Sequence, residues 1–197
     1  MKSGVAQNRR SRSAGPKVVV LLSGGVDSTA TLAEYVRHRA PVQAVFFDYR
    51  QPARRSEWEA AQAVSKHYRI PLSRVRLGFG LPSHKGEFFG RNALLAIAAG
   101  AVADDRPLVI ATGIHSGLRY YDTTASYVAD LQRLFDGYAG GAVSLGAPFL
   151  EMTKPEIVKF ARRHRVPLSL TYSCERRSGT PCGECPSCED RKACRVD

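Results

Sequence analysis

One six-residue segment has the composition of a phosphate-binding loop. It follows a short apolar run and precedes a stretch with helical spacing, so backbone N–H groups and the positive end of a helix would converge on one point. Glycines let the backbone approach an anion closely, and serine hydroxyls add donors. The segment consists of Ser23, Gly24, Gly25, Val26, Asp27 and Ser28. Asp27 would repel a phosphate directly, so we expect it to hold Mg²⁺ that bridges phosphate groups.

The pattern of this segment, SGGxDS, differs from the common nucleoside-triphosphate loop GxxxxGK[ST], because it has no lysine. It resembles the PP-loop of ATP pyrophosphatases, which cleave ATP between the α- and β-phosphates. The resemblance implies an ATP-dependent enzyme that adenylates its substrate and releases pyrophosphate.

Two cations are candidates for neutralising the phosphates. Lys154 opens a predicted helix directly after a turn, and Arg91 follows Gly90 at another helix start. At such positions the side-chain charge and the helix N–H groups can act on the same anion. Ordinary solvent-exposed cations are the alternative for both. We expect Asp27, Lys154 and Arg91 to be the catalytic residues, with Gly90 close to the nucleotide.

Three further residues follow predicted strands, at the edge where doubly wound sheets bind ligands. Thr112 and Gly113 come after one strand and would contact the nucleotide, unless they only form a turn. Asp48 follows another strand. It would meet adenine, ribose or Mg²⁺, unless it only caps the next segment.

Strands and helices alternate along the chain at the spacing of a doubly wound α/β fold with a mostly parallel sheet. Short β-branched runs predict buried strands, and apolar residues three and four apart predict helices. The predicted strands are 17–22, 42–47, 74–77 and 108–111. The predicted helices are 28–39, 57–67, 91–103, 127–138 and 154–164.

The five cysteines are confined to the last part of the chain, and four of them have the spacing C-x7-C-x2-C-x2-C. These four are Cys174, Cys182, Cys185 and Cys188. Short CxxC turns place two thiolates on one cation, and four thiolates satisfy tetrahedral zinc. Redox chemistry and an iron–sulfur cluster are the alternatives. We expect structural Zn²⁺, because the rest of the chain offers no redox partner, and Cys194 is then spare.

Length and composition limit the remaining possibilities. The 197 residues suit one domain. We expect a flexible basic tail (1–15), an ATP pyrophosphatase domain (16–173) and a zinc-binding segment of that domain (174–197). No apolar run approaches the roughly 20 residues that span a bilayer, so we expect a cytoplasmic protein without membrane contact. The net charge of +11 indicates either a solvated basic surface or attraction to polyanions such as nucleotides or RNA.

Several motifs occur in the order typical of one family of PP-loop enzymes. They are FDYxQ at 47–51, GRN at 90–92, ATG at 111–113, Tyr120 with Asp122, Thr153 with Lys154, and the four cysteines. Over residues 18–188 the chain resembles the QueC family of 7-cyano-7-deazaguanine synthases. The resemblance implies that 7-carboxy-7-deazaguanine, ammonia and ATP are converted to the nitrile through an acyl-adenylate and an amide. Tyr120 and Asp122 would then stack on and hydrogen-bond the deazaguanine, and we expect a homodimer.

Two features depart from the family pattern on the deazaguanine side. Arg50 and Pro52 stand where the family usually has a glycine and a basic residue, and segment 77–89 is much shorter than the usual substrate-covering insertion. One alternative is therefore a diverged enzyme of a defence system that stops at the amide or joins the activated acid to a macromolecule. Another is a PP-loop RNA-modifying enzyme or a non-catalytic nucleotide sensor. An RNA thiolase would need a catalytic cysteine near the edge of the sheet, and this chain has no cysteine before residue 174.

Overall fold

The computed structural model describes residues 15–78, 88–103, 106–116 and 120–196. Almost all of the predicted tail (1–15) and most of the shortened segment (77–89) lie outside these residues. The described strands are β1 (Lys17–Leu21), β2 (Val42–Asp48), β3 (Leu72–Arg76), β4 (Leu108–Ala111) and β5 (Val143–Gly146). The described helices are α1 (Val26–Arg37), α2 (Arg54–Tyr68), α3 (Arg91–Val102), α4 (Ala125–Ala139), α5 (Lys154–Arg163) and α6 (Pro186–Ala193).

All five strands are parallel and form one sheet in the order β3-β2-β1-β4-β5. Helices cover both faces of this sheet. Val18 and Val20 of β1 pack with α1 and α2, whereas Val19 packs with α3 and α4. Helix α5 lies outside α1, where Ala161 packs with Ala33. The predicted α/β fold is confirmed.

One described strand and one described α-helix were not predicted from the sequence. Strand β5 has only four residues and pairs with the edge of β4, so its formation depends on a tertiary contact. Helix α6 has eight mostly polar residues and lies within the cysteine segment. Some boundaries also differ, since α2 begins at Arg54 rather than at residue 57. Its N-cap is Ala53, a residue type that gives no capping signal.

The order of the strands creates a crevice next to β1. The chain first adds β2 and β3 on one side of β1, and then adds β4 and β5 on the other side. The loops that follow β1 and β4 therefore leave the sheet in different directions. At such a switch point the carboxyl edge of a parallel sheet is open to a ligand.

The chain after α5 returns to this edge and forms one of its sides. The N–H of Tyr172 donates to the carbonyl oxygen of Gly24 in the loop after β1, at 2.9 Å. The hydroxyl oxygen of Ser178 accepts from the N–H groups of Arg55 and Ser56 at 3.2 and 3.4 Å. The cysteine segment is thus attached both to the loop after β1 and to the start of α2.

Candidate active site

A cavity of about 410 Å³ opens at the carboxyl edge of the sheet. Its size suits a small-molecule ligand, since such sites usually measure about 300–1,000 Å³. The loops after β1 and β4, the starts of α1, α3, α5 and α6, and the end of β2 all contribute to its wall. The predicted residues that line it are Ser23, Gly25, Val26, Asp27, Ser28, Arg91, Thr112, Gly113, Tyr120 and Lys154.

The loop after β1 offers donors to an anion in this cavity. Helix α1 begins at Val26, and its N-cap is Gly25, which has no side chain to occupy the first N–H groups. The hydroxyl oxygens of Ser23 and Ser28 lie 3.0 Å apart at the cavity wall. The N–H groups, the hydroxyls and the positive end of α1 can together bind a phosphate.

Two glycines allow the close packing behind this loop. Gly24 has a φ of +82°, and a Cβ there would come within 2.6 Å of the carbonyl oxygen of Glu57. A Cβ on Gly113 would come within 2.8 Å of the carbonyl carbon of Asp27. The loop after β1 is therefore held directly against α2 and against the loop after β4. Gly24 packs behind the described cavity wall, whereas Gly113 is part of it.

Asp27 and Lys154 form an ion pair within the cavity. The Nζ atom of Lys154 lies 2.7 Å from Oδ1 and 2.6 Å from Oδ2 of Asp27. Nε2 of His115 lies 3.9 Å from the same carboxylate, and its Nδ1 donates to the carbonyl oxygen of Ser116 at 2.7 Å. The side chains of Asp27 and Lys154 remain 25% and 19% exposed, so a ligand in the cavity can reach both.

The start of α5 places Lys154 at this point. Thr153 and Glu156 form a capping box, in which the N–H of Thr153 donates to Oε2 of Glu156 at 2.8 Å. Ser116 in the loop after β4 donates to the carbonyl oxygen of Met152 through its N–H and its hydroxyl, at 3.1 and 2.8 Å. The segment just before α5 is thus tied to the loop after β4.

Besides Gly24, three predicted site residues lie away from the described cavity wall. Asp48 pairs with Arg74 at 2.6 Å and accepts from the N–H of Arg50 at 3.1 Å. Burial raises the pKa of Asp48, but these hydrogen bonds outweigh it and hold the pKa below its usual value. Gly90 is the N-cap of α3, with a φ of 68°. Asp122 lies in a 3-10 turn. The ligand roles of these three residues stay predictions.

A polar cluster on the cavity wall had no role in the sequence-based prediction. The amide nitrogen of Gln51 donates to Oε2 of Glu57 at 2.8 Å and to the carbonyl oxygen of Phe47 at 3.0 Å. The side-chain oxygen of Gln51 accepts from the N–H of Tyr49 at 3.0 Å. Burial raises the pKa of Glu57 to about 7. Gln51 belongs to the FDYxQ motif, which was the one sequence signal for this cluster.

The cysteine segment adds further carboxylates to the same cavity. One oxygen of Glu175 accepts from the N–H of Ser187 at 3.2 Å and also from the Ser187 hydroxyl. Asp190 follows on α6 and lines the cavity as well. Glu57, Glu175 and Asp190 together are called the acidic wall below.

The four predicted cysteines come together beside the acidic wall. Their Sγ atoms all lie within 4.8 Å of one another. Those of Cys182 and Cys188 are 3.9 Å apart, close to the edge of about 3.8 Å in a tetrahedron with metal–sulfur bonds of about 2.3 Å. Burial raises the pKa of Cys174, but N–H groups of Cys182, Arg176 and Arg177 lower it to about 6. The arrangement of the four sulfurs could therefore hold a metal ion.

Residues 17–81 and 88–195 match the profile of the family described as queuosine biosynthesis protein QueC. The chain belongs to the QueC family. It is 29% identical to the 7-cyano-7-deazaguanine synthase of Methanosarcina barkeri, over 89% of this chain and 91% of that protein. It is 30% identical to the protein of the same name from Rhizobium rhizogenes, over 89% of this chain and 86% of that protein. The predicted family is confirmed.

Solved structures support the fold of this QueC-family chain. NMN synthetase from Francisella tularensis is 13% identical, with a TM-score of 0.52 over 87% of this chain and 71% of that one. The U34-tRNA thiolase NcsA from Methanococcus maripaludis is 17% identical, with a TM-score of 0.52 over 93% of this chain and 66% of that one. At these identities the likeness concerns the fold alone. Among the described residues, no helix has both the length and the apolar character needed to cross a membrane.

Proposed function

We propose that this QueC-family chain adenylates 7-carboxy-7-deazaguanine with ATP and converts it, with ammonia, to 7-cyano-7-deazaguanine. The observation that carries the proposal is a single cavity with a phosphate-binding loop and the Asp27–Lys154 pair on one side and carboxylates on the other. The names of the relatives support the choice of product.

The phosphate side would bind and activate ATP. The start of α1 and the hydroxyls of Ser23 and Ser28 would donate to phosphate oxygens. Asp27 offers two carboxylate oxygens that suit Mg²⁺, which neutralises phosphate charge and favours departure of pyrophosphate when it is bound. Lys154 pairs with Asp27. When ATP binds with Mg²⁺, the Lys154 side chain would therefore exchange the Asp27 carboxylate for a phosphate oxygen as its ion-pair partner.

The reaction would consist of two adenylations. A carboxylate oxygen attacks the α-phosphorus, and the bond to the β-phosphate breaks to give an acyl-adenylate and pyrophosphate. Ammonia then displaces AMP and loses a proton, which gives the amide. The amide oxygen attacks the α-phosphorus of a second ATP and releases a second pyrophosphate, and loss of AMP and of the two N–H protons leaves the nitrile. Both carboxyl oxygens end on AMP, so the protein has to position the reactants and neutralise charge rather than supply a nucleophile.

We assign Zn²⁺ to the four-cysteine cluster. Four thiolates complete a tetrahedral shell and leave no open position for a substrate, so the role would be structural. Glu175 directly follows Cys174, and α6 begins directly after Cys185. Bound zinc would therefore fix Glu175 and the start of α6 at the cavity wall.

The sequence-predicted substrate residues differ in position. Tyr120 lines the cavity and is 49% exposed, so its ring is accessible for stacking on a flat heterocycle. Asp122 lies in the following turn, away from the described wall, and its contact with the deazaguanine stays a prediction.

Product analysis tests the proposal. The protein is incubated with ATP, Mg²⁺, an ammonium salt and 7-carboxy-7-deazaguanine, and the product mass is read. The nitrile mass is expected, together with AMP and pyrophosphate. The amide mass alone would favour a diverged amide-forming enzyme. An unchanged acid with every amine supplied would show that the acid has been misidentified.

A further inference from the structure

We propose that Glu57 is the specificity-determining residue that accepts hydrogen bonds from the donor edge of the deazapurine, formed by the ring N1–H and the 2-amino group. This inference rests on the proposed function and names the side chain by which the cavity selects its acid.

Glu57 has the position that such a role needs. It belongs to α2, which packs behind the phosphate-binding loop, and its side chain lines the cavity. Gln51 donates to Oε2 of Glu57 and is itself buried, with its oxygen and nitrogen engaged by the β2 region. The side chain of Glu57 is therefore oriented by the protein before any ligand binds.

The carboxylate of Glu57 is oriented by one protein donor and belongs to the cavity wall. Oε2 accepts the bond from Gln51 at 2.8 Å, and Glu57 is a half-buried residue of the cavity wall, so a ligand in the cavity can reach its carboxylate. Desolvation of a carboxylate has a free-energy cost, which raises the pKa of Glu57 to about 7 although the hydrogen bond from Gln51 and the charge of Arg91 lower it. A ligand that brings N–H donors would offset that cost.

The donor edge of a guanine-like ring fits this acceptor. Ring N1–H and the 2-amino group are two parallel donors, and a carboxylate can accept both in a bidentate, charge-assisted contact. Adenine has an acceptor at its ring N1, which a carboxylate would repel. The Glu57 carboxylate would thus favour binding of the deazaguanine acid next to it and disfavour binding of the adenine of ATP there.

Glu57 is the most suitable of the candidate carboxylates. Glu175 already accepts two hydrogen bonds at one oxygen from Ser187 and follows a metal ligand in sequence. Asp190 is exposed, and Asp122 lies away from the described wall. Tyr49, whose N–H bonds to Gln51, also lines the cavity and offers an aromatic surface beside Glu57.

The variant Glu57→Gln tests this role in the zinc-loaded full chain. Glutamine keeps the size and can still accept from Gln51, but it replaces an acceptor oxygen with a donor. Calorimetry would measure the Kd of 7-carboxy-7-deazaguanine and of its analogue without the 2-amino group. Wild type should prefer the parent acid at least about tenfold, since an unpaired buried group is strongly disfavoured. In Glu57→Gln the parent should bind about 10- to 100-fold more weakly and the preference should fall below about threefold.

Two further variants separate selection from folding. Glu59→Gln changes an exposed acid on the same helix and should keep both the affinity and the preference. Glu57→Asp keeps the charge but draws it back by one methylene. It should bind the parent more weakly than wild type and retain the preference. ATP affinity should be unchanged in all three variants.

The outcomes distinguish the inference from the proposed function. If Glu57→Gln keeps the wild-type affinity and preference, or loses affinity for both ligands equally, Glu57 does not read the donor edge, and nitrile formation by wild type would still support the proposed function. If wild type neither binds nor converts the acid, both the proposed function and the inference are overturned.

Discussion

The phosphate side and the acidic wall of the cavity are built in different ways. The phosphate side is one continuous loop (23–28) joined by Lys154, and it presents N–H, hydroxyl and ammonium donors. The acidic wall takes Glu57 from α2 and its other carboxylates from the cysteine segment. Donors serve an anion, whereas carboxylates serve a ligand with N–H groups. In our account the two sides divide the work into activation by ATP and selection of the acid, so substitutions can alter one function and spare the other.

The largest effect is expected from loss of a metal ligand. Cys185 is fully buried within the four-sulfur cluster. Structural zinc contributes folding free energy directly, so Cys185→Ser should lose the bound metal, at about one ion per chain, and most of the soluble protein. Metal analysis and the yield of soluble protein measure both.

Cys194→Ser is the matched control for that variant. Cys194 packs with the small cluster of Val26, Val158 and Val196, outside the four sulfurs. The Cys194→Ser variant should therefore bind the metal and fold as wild type does. Equal metal content in Cys185→Ser and wild type would remove the four-cysteine assignment, and with it the zinc-dependent part of the acidic wall.

The next largest effect is expected on the phosphate side. Asp27→Asn should lower kcat for pyrophosphate release by about 100- to 1,000-fold, because the Mg²⁺ ligand and the electrostatic partner of Lys154 are both weakened. The pair is partly exposed, so the variant should fold normally. Affinity for the deazaguanine acid should stay within about threefold of wild type. A loss of acid affinity as large as the loss in kcat would contradict the division between the two sides.

The smallest effect is a dependence of stability on pH. Burial raises the pKa of Glu57 from 4.5 to about 7, so the fold favours the protonated carboxyl. That contribution is present below about pH 4.5 and is lost as the pH rises through about 7. The stability of zinc-saturated wild type relative to Glu57→Gln should therefore fall by about 1–3 kcal/mol between pH 5 and pH 8. Denaturant unfolding of both proteins would reveal it, and a difference independent of pH would show that Glu57 is ordinarily solvated.

The phosphate side could be predicted from the sequence because its signals are local. SGGxDS is contiguous, β1 is an apolar β-branched run, and the four cysteines are closely spaced in sequence. The position of Lys154 at the start of a helix was also predicted, because it directly follows a turn in the sequence. Such features depend on neighbours in the chain and need no knowledge of the tertiary structure.

The acidic wall could not be predicted, because only tertiary packing makes Glu57 part of the site. In the sequence it is an ordinary acid on an amphipathic helix. It reaches the cavity because Gly24 lets the loop after β1 approach the backbone of α2. In the same way, the pairing of Asp48 with Arg74 joins neighbouring strands. The sequence around Asp48 does not indicate that Arg74 is its ion-pair partner.

The central claim is that the phosphate side adenylates an acid selected by the acidic wall. Exchange of labelled pyrophosphate into ATP, measured without ammonia, tests it most directly. We predict that label enters ATP only when both 7-carboxy-7-deazaguanine and Mg²⁺ are present, and that Asp27→Asn slows the exchange by about 100- to 1,000-fold. Exchange that does not depend on the acid, or ADP and phosphate as the main products, would contradict the account.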